Sequence, residues 1–238
     1  TDITIFDCTK IGENPVVLTV TDNCFLSSTC KATVKVEDNI SPEITCPSGS
    51  PFTYSTDLNC TYYTVVGTGF DATATDACGI VSLVYACPTA SVSSGTSLAG
   101  IQLPVGNHTI IWTAEDVNGN KSTGQIEVTV QKRSLVLTYT GDDNEQYSDQ
   151  ASLIALLKDE ANAPVSGKTI RFTIGTQSVT GITGGDGIAT ATLNLEQSPV
   201  PAYTVMTEFE GDDTSMPATD EDPFDITQEI ALIDYIGT

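Results

Sequence analysis

The chain has 238 residues, of which 31 are acidic, nine basic and one histidine, giving a net charge of −22. Such a field makes nucleic acid and anionic membrane surfaces poor partners and divalent cations good ones. No apolar run approaches the ~20 residues of a membrane span. Recurrent Val, Ile, Leu and Thr also set the chain apart from a disordered acidic tail.

Taken in order, short β-branched and aromatic runs alternate with Gly, Pro, Asn and Asp clusters, the pattern of an all-β protein. Strands are expected at PVVLTV (15–20) and KATVKV (31–36), then at EITC (43–46), TYYTVV (61–66), IVSLVY (80–85), HTIIWTA (108–114) and GQIEVTV (124–130). A further set follows at LVLTYT (135–140), ASLIALL (151–157), KTIRFTI (168–174), IATATLNL (188–195), AYTVMTEF (202–209) and FDIT (224–227). ASLIALLK also suits a helical turn, but its Thr and Gly neighbours and the strand rhythm favour β.

Residues 11–36 and 105–130 are the same segment written twice, 94 positions apart. Gly12/Gly106, Thr19/Thr113, Asp22/Asp116, Ser28/Ser122, Thr29/Thr123, Val34/Val128 and Val36/Val130 coincide without a gap, and Val16, Val17 and Leu18 align with Ile110, Ile111 and Trp112. A second echo relates LVLTYTG (135–141) to ALIDYIG (231–237). A period of roughly one hundred residues suits β-sandwich modules rather than a short solenoid repeat. The expected organisation is 1–37 as the C-terminal half of a module, 38–132 and 133–228 as complete modules, and 229–238 as the first strand of another. Short linkers predict an extended array, and any export signal or anchor is expected outside this window.

All seven cysteines fall within the first 87 residues, at 8, 24, 30, 46, 60, 78 and 87. None forms a CxxC pair, which argues against zinc and for disulfides in an exported protein. The odd count leaves at least one thiol free or paired outside the window.

The run TDN…SSTCKATVKVEDNISPEITCP (21–47), with NC (59–60), TATDACG (73–79), LPVGNHTIIWTAEDVNGN (103–120) and EVTV (127–130), resembles the HYR (hyalin repeat) domain, an immunoglobulin-like sandwich of extracellular proteins. Residues 134–227, with PVSGKTIRFTIG (164–175) and GDGIATATL (185–193), look like bacterial Ig-like repeats. The two in series resemble giant cell-surface adhesins of gliding Bacteroidetes. The resemblance implies tandem immunoglobulin-like β-sandwich modules, secretion and adhesion. It also implies an inner Cys60–Cys78 disulfide. The family's other bridge joins the ITC cysteine to one in the final strand, but Gly124 stands at that partner position. Cys87 is then the substitute expected to pair with Cys46, while Cys8, Cys24 and Cys30 stay unassigned.

In such a sandwich the B–C and F–G loops lie at the pole where the chain enters. Glu37 and Asp38 from the linker, Asp76 from the B–C loop, and Asp116, Asn118 and Asn120 from the F–G loop are therefore expected to converge. Ca²⁺ takes six to eight oxygens from such groups, and Gly119 lets the loop fold back; the same residues also suit ordinary turns. Asp142, Asp143 and Glu145 are expected at one pole of the following module and Asp212, Asp213, Asp220 and Asp222 at the other, as solvated loops or junctional ion sites. Trp112 is read as core, and one of Tyr62 and Tyr63 as exposed. His108 lacks triad partners.

These features predict a non-enzymatic segment of a large bacterial surface adhesin, stiffened by disulfides and Ca²⁺, with neighbouring modules and a surface polysaccharide or protein as partners. Nucleic acid and membrane insertion are not expected. The alternatives are binding modules accessory to a secreted enzyme, or a filament subunit completed by strand exchange.

Overall fold

A computed structural model describes residues 5–58, 60–199 and 202–229. Its regular structure is almost wholly β, as the alternating sequence pattern requires, and it separates into two compact units. The strand expected within 229–238 lies outside the described residues from position 230 onward.

The first unit comprises residues 5–53 and 64–129. It opens with a 3₁₀ turn, Cys8–Lys10, capped by the Asp7 carboxylate, which accepts from Thr9 N. The strands as far as residue 131 are β1 (Gly12–Thr21), β2 (Ser27–Val36), β3 (Glu43–Thr45), β4 (Phe52–Ser55), β5 (Tyr62–Thr64), β6 (Thr73–Thr75), β7 (Ile80–Ala86), β8 (Gln102–Pro104), β9 (Gly106–Asp116) and β10 (Lys121–Gln131), of which β4, β5 and β10 run partly into residues of the second unit. β4, β10, β9 and β7 form a sheet in that order, β3 pairs with β6, and β1 with β2 forms a separate hairpin. Strand alternation puts Ile110, Trp112 and Ala114 of β9, all 0% exposed, and Ile126 and Val128 of β10, both 1% exposed, on one face. Tyr85 of β7 pairs with Trp112 and meets it edge-on, with ring centroids 5.6 Å apart. The indole N–H donates to the Phe70 carbonyl at 3.2 Å. Trp112 is thus the centre of the core, as its place in the repeat predicts.

The second unit is a sandwich of two sheets. Its strands are β11 (Leu135–Tyr139), β12 (Asn144–Gln146), β13 (Gln150–Asp159), β14 (Thr169–Ile174), β15 (Gln177–Ile182), β16 (Ile188–Asn194), β17 (Tyr203–Phe209) and β18 (Ala218–Thr227). One sheet runs β11–β13–β16 and the other β12–β18–β17–β14–β15. Leu153, Leu157, Ile170, Phe172, Ile174, Val205 and Phe224 fill the space between them. ASLIALL is strand β13: it pairs with β11 on one side and β16 on the other, and its buried residues alternate.

Residues 54–63 fall inside the expected 38–132 module but pack with the second unit. Thr56 N donates to Gln131 O at 2.9 Å. The Arg133 guanidinium donates to Thr56 O at 2.6 Å and to the buried Asp159 carboxylate at 3.1 Å.

Candidate functional site

Asp116 ends β9 and the chain turns back through Gly119, whose φ of +89° suits glycine. Asp116 is 1% exposed. One of its oxygens accepts from Asn118 N at 2.8 Å and Asn120 N at 2.9 Å, and the other from Asn120 Nδ2 at 2.8 Å. Burial pushes its pKa up, but the hydrogen bonds from the Asn120 side chain and the loop amides outweigh this and hold the carboxyl below its usual range. Asp116 therefore builds the turn rather than facing a ligand.

The finished turn reaches the linker. Asn118 Nδ2 donates to Asp38 Oδ2 at 2.7 Å, and Asn120 Nδ2 to the Asp38 carbonyl at 3.1 Å. The other Asp38 oxygen accepts from Ile40 N at 3.1 Å. Beyond β6, an Asp76 oxygen accepts from Cys78 N at 2.7 Å. One oxygen of Asp38, one of Asp76 and the sulfur of Cys78 all lie within 4.8 Å of one another. Asp38, Asp76, Asp116, Asn118 and Asn120 are thus brought together from three segments. Glu37 pairs with Lys35 on β2 and is not among the clustered ligand atoms.

Cys78 cannot offer a thiolate, because it is disulfide-bonded to Cys8. This corrects the expected Cys60–Cys78 bridge. The 3₁₀ turn holding Cys8, assigned from sequence to a different module, brings its Cα within 5.1 Å of that of Cys78. Cys60 is a free thiol, and the expected Cys46–Cys87 bridge is likewise absent. Cys46 lies against Gly124, where an added Cβ would stand 2.6 Å from its sulfur, and burial pushes its thiol pKa up. Cys87 is buried beside Thr89, 3.7 Å from its hydroxyl, and Thr89 lies 3.4 Å from His108 Nδ1. His108 Nε2 donates to Pro104 O at 2.6 Å. With Cys87 3% and His108 2% exposed, this chain is part of the core.

The donors left near Asp38 and Asp76 are carboxylate, amide and carbonyl oxygens, the set preferred by a hard divalent cation. Two carboxylates this close repel by about 1 kcal/mol in water and by more when half-buried. A bound cation would relieve that repulsion.

The acidic residues of the second unit fall differently from expectation. Asp220 and Asp222 lie on β18 rather than in a loop, and that strand runs to the end where Asp225 N donates to Asp143 O. Asp220 accepts from Tyr139 N at 2.8 Å. Burial raises the Tyr139 pKa, and Asp142, Asp222 and Asp143 raise it further. Asp212 stands apart, bonded to Lys168 at 2.6 Å. The aromatic expectation also changes: Tyr62 and Tyr63 are both half-buried, and Tyr63 stacks on Tyr54 at 4.4 Å.

Residues 37–130 match the HYR domain family. The matched stretch contains β3 to β9, all but the last residue of β10, the Asp38–Asp76 cluster and Cys78, while Cys8 lies ahead of it. No curated protein matches the sequence. Among solved structures, the chain is similar to one described as giving insight into host cell surface retention of a 1.5-MDa bacterial ice-binding adhesin, at 14% identity and TM-score 0.33, over 90% of this chain and 74% of the other. It is also similar to a Ca²⁺-stabilized adhesin that helps an Antarctic bacterium reach out and bind ice, at 11% identity and TM-score 0.31, over 92% and 57%. A third is the Bacteroides ovatus mixed-linkage glucan utilization locus SGBP-B with a mixed-linkage heptasaccharide, at 14% identity and TM-score 0.26, over 81% and 72%. Likeness at these levels carries no functional weight.

Proposed function

We propose that this chain is a non-enzymatic structural and adhesive segment of a large bacterial surface adhesin, and that Ca²⁺ rigidifies its HYR domain. The observation that carries the calcium reading is the approach of Asp38 and Asp76, held by a turn whose own carboxylate, Asp116, is already satisfied. Asp38 and Asp76 would hold the ion, with carbonyl oxygens and water completing the shell. Asp116, Asn118 and Asn120 position Asp38. The ion's part is electrostatic: it replaces repulsion between two carboxylates by attraction to a shared charge.

The adhesive reading rests on the HYR match and the internal repeat. Export to the cell surface, a polysaccharide or protein ligand, and a role in gliding belong to the same proposal. The test is thermal unfolding of the whole chain in Ca²⁺ and in EGTA, beside Asp38→Asn and Asp76→Asn. Calcium should raise the melting temperature of the parent and leave both variants unchanged. A parent indifferent to EGTA would overturn the calcium reading. The adhesive reading stands or falls separately, on binding of the chain to cell-surface polysaccharide or protein.

A further inference from the structure

Asn118–Gly119 is the only Asn-Gly pair in the chain, and it stands at the tip of the turn between β9 and β10. The earlier copy of this hairpin has Cys24 and Phe25 at the same two positions, so the pair is particular to the second copy. Asn118 is exposed, and Gly119 has no side chain to shield its own nitrogen. A methyl group added at Gly119 would meet nothing within 4 Å beyond its chain neighbours, so the space around it is open. Gly119 N donates to Asp116 O at 3.3 Å, longer than a usual N–H···O bond, so this nitrogen is weakly held. Asn120 differs on each count. It is half-buried, a lysine follows it, and its amide donates to both Asp38 O and Asp116 Oδ2.

We propose that Asn118 is a site of spontaneous deamidation, and that its conversion adds a third carboxylate to the Asp38–Asp76 pair. The reactants are the asparagine side chain, the backbone nitrogen that follows it, and water. The Gly119 nitrogen gives up its proton to solvent base and attacks Asn118 Cγ. The bond from Cγ to Nδ2 breaks, and Nδ2 takes a proton from solvent and leaves as ammonia. Water then opens the cyclic imide at either carbonyl, leaving aspartate or isoaspartate. Either product carries a carboxylate in place of the amide that donates to Asp38 Oδ2 at 2.7 Å. An attractive contact between turn and linker thereby becomes a repulsive one. Carboxylate oxygens of Asp38 and Asp76 already lie within 4.8 Å of each other, so the new charge joins a pair that lacks a countercharge. A cation held there would gain a third anionic ligand; this last step rests on the proposed calcium site.

The experiment ages the whole chain in EGTA, in mildly alkaline buffer at physiological temperature, and follows it by peptide mapping and thermal melting. Asn118 should show the mass gain of an amide-to-acid exchange before Asn107 or Asn120 does, with part of the product labelled by an isoaspartyl methyltransferase. The melting temperature in EGTA should fall as conversion proceeds, and fresh Asn118→Asp should already melt lower than the parent. Asn118→Gln keeps an amide, closes the imide far more slowly, and should hold its melting temperature through the same ageing. Calcium should bind Asn118→Asp ~10-fold more tightly than the parent. An Asn118 that stays intact while other asparagines convert overturns the site. Conversion without a change in melting, or Asn118→Asp melting like the parent in EGTA, overturns its effect on the linker. Calcium bound equally well by parent and Asn118→Asp overturns the third-ligand role. If both ignore calcium, the calcium site itself falls, whereas the deamidation result, read in EGTA, is untouched.

Discussion

A methyl group placed on Gly124 would stand 2.6 Å from the sulfur of Cys46, with Ile44 Cγ2 at 3.0 Å. The residues are 78 apart in sequence and meet where the side chains of Ile44 and Cys46 pack over Gly124 of β10. Gly124→Cys should therefore form a disulfide with Cys46, adding about 2–4 kcal/mol of stability. The check is urea unfolding with and without reductant, together with the loss of the Cys46 thiol to alkylation. Gly124→Ala has no bond to gain and should cost roughly 1–3 kcal/mol from overpacking.

The Cys8–Cys78 bridge closes a loop over a sequence separation of 70, which in the chain-entropy model is worth about 4 kcal/mol. Cys8→Ser and Cys78→Ser should each remove most of that and speed exchange in residues 5–11. Cys60→Ser should leave stability nearly unchanged. Equal losses in Cys60→Ser and Cys78→Ser would restore the Cys60–Cys78 pairing.

Asp116 and Asp76 should behave differently when altered. Asp116→Ala leaves the amides of Asn118 and Asn120 without their acceptor, and should lower the melting temperature in calcium and EGTA alike. Asp76→Asn removes the repulsion with Asp38, and should raise the melting temperature in EGTA while abolishing the rise that calcium brings. Melting curves of the two variants under both conditions separate a turn-building carboxylate from an ion-holding one.

Acid should loosen the second unit through Asp212. Burial works against its ionised form, but hydrogen bonds from Lys168 and Thr214, with the Lys168 charge, lower its pKa to about 2 from an ordinary 3.8. A carboxyl depressed in the folded state stabilises it above the unfolded pKa and loses that contribution as pH falls through the folded one. Stability should decline between about pH 4 and pH 2, and Lys168→Met should flatten the decline. Denaturant titrations across that range provide the measurement.

Arg133 donates to Asp159, which is 5% exposed, and to Thr56 O. Arg133→Met strands a buried carboxylate and should cost about 3–5 kcal/mol, whereas replacing both partners by apolar residues should cost much less. A double-mutant cycle read by urea unfolding checks this.

Much of the molecule was legible in the sequence because strand pattern is local. The alternation in HTIIWTA and GQIEVTV reports one buried face whatever lies opposite, so β9, β10 and the core role of Trp112 could be read directly. Phe52–Ser55, Thr73–Thr75, Gln102–Pro104, Asn144–Gln146 and Gln177–Ile182 were missed. They are short or polar, and become strands by pairing with neighbours that composition does not reveal. The convergence of Asp38 with Asn118 and Asn120 could be anticipated from loop order. That Asp116 turns inward while Glu37 turns to Lys35 could not.

The sequence by itself determined the all-β class, the 94-residue repeat, the HYR resemblance and the segments that meet around Asp38, because each is written in period, spacing or motif order. Only the tertiary structure decided that Cys78 joins Cys8, that residues 54–63 belong to the second unit, and that Asp220 lies on β18 and accepts from Tyr139 N. A disulfide or a long-range hydrogen bond depends on where Cα atoms far apart in sequence come to rest. That is set by the packing of whole sheets, which no single segment encodes.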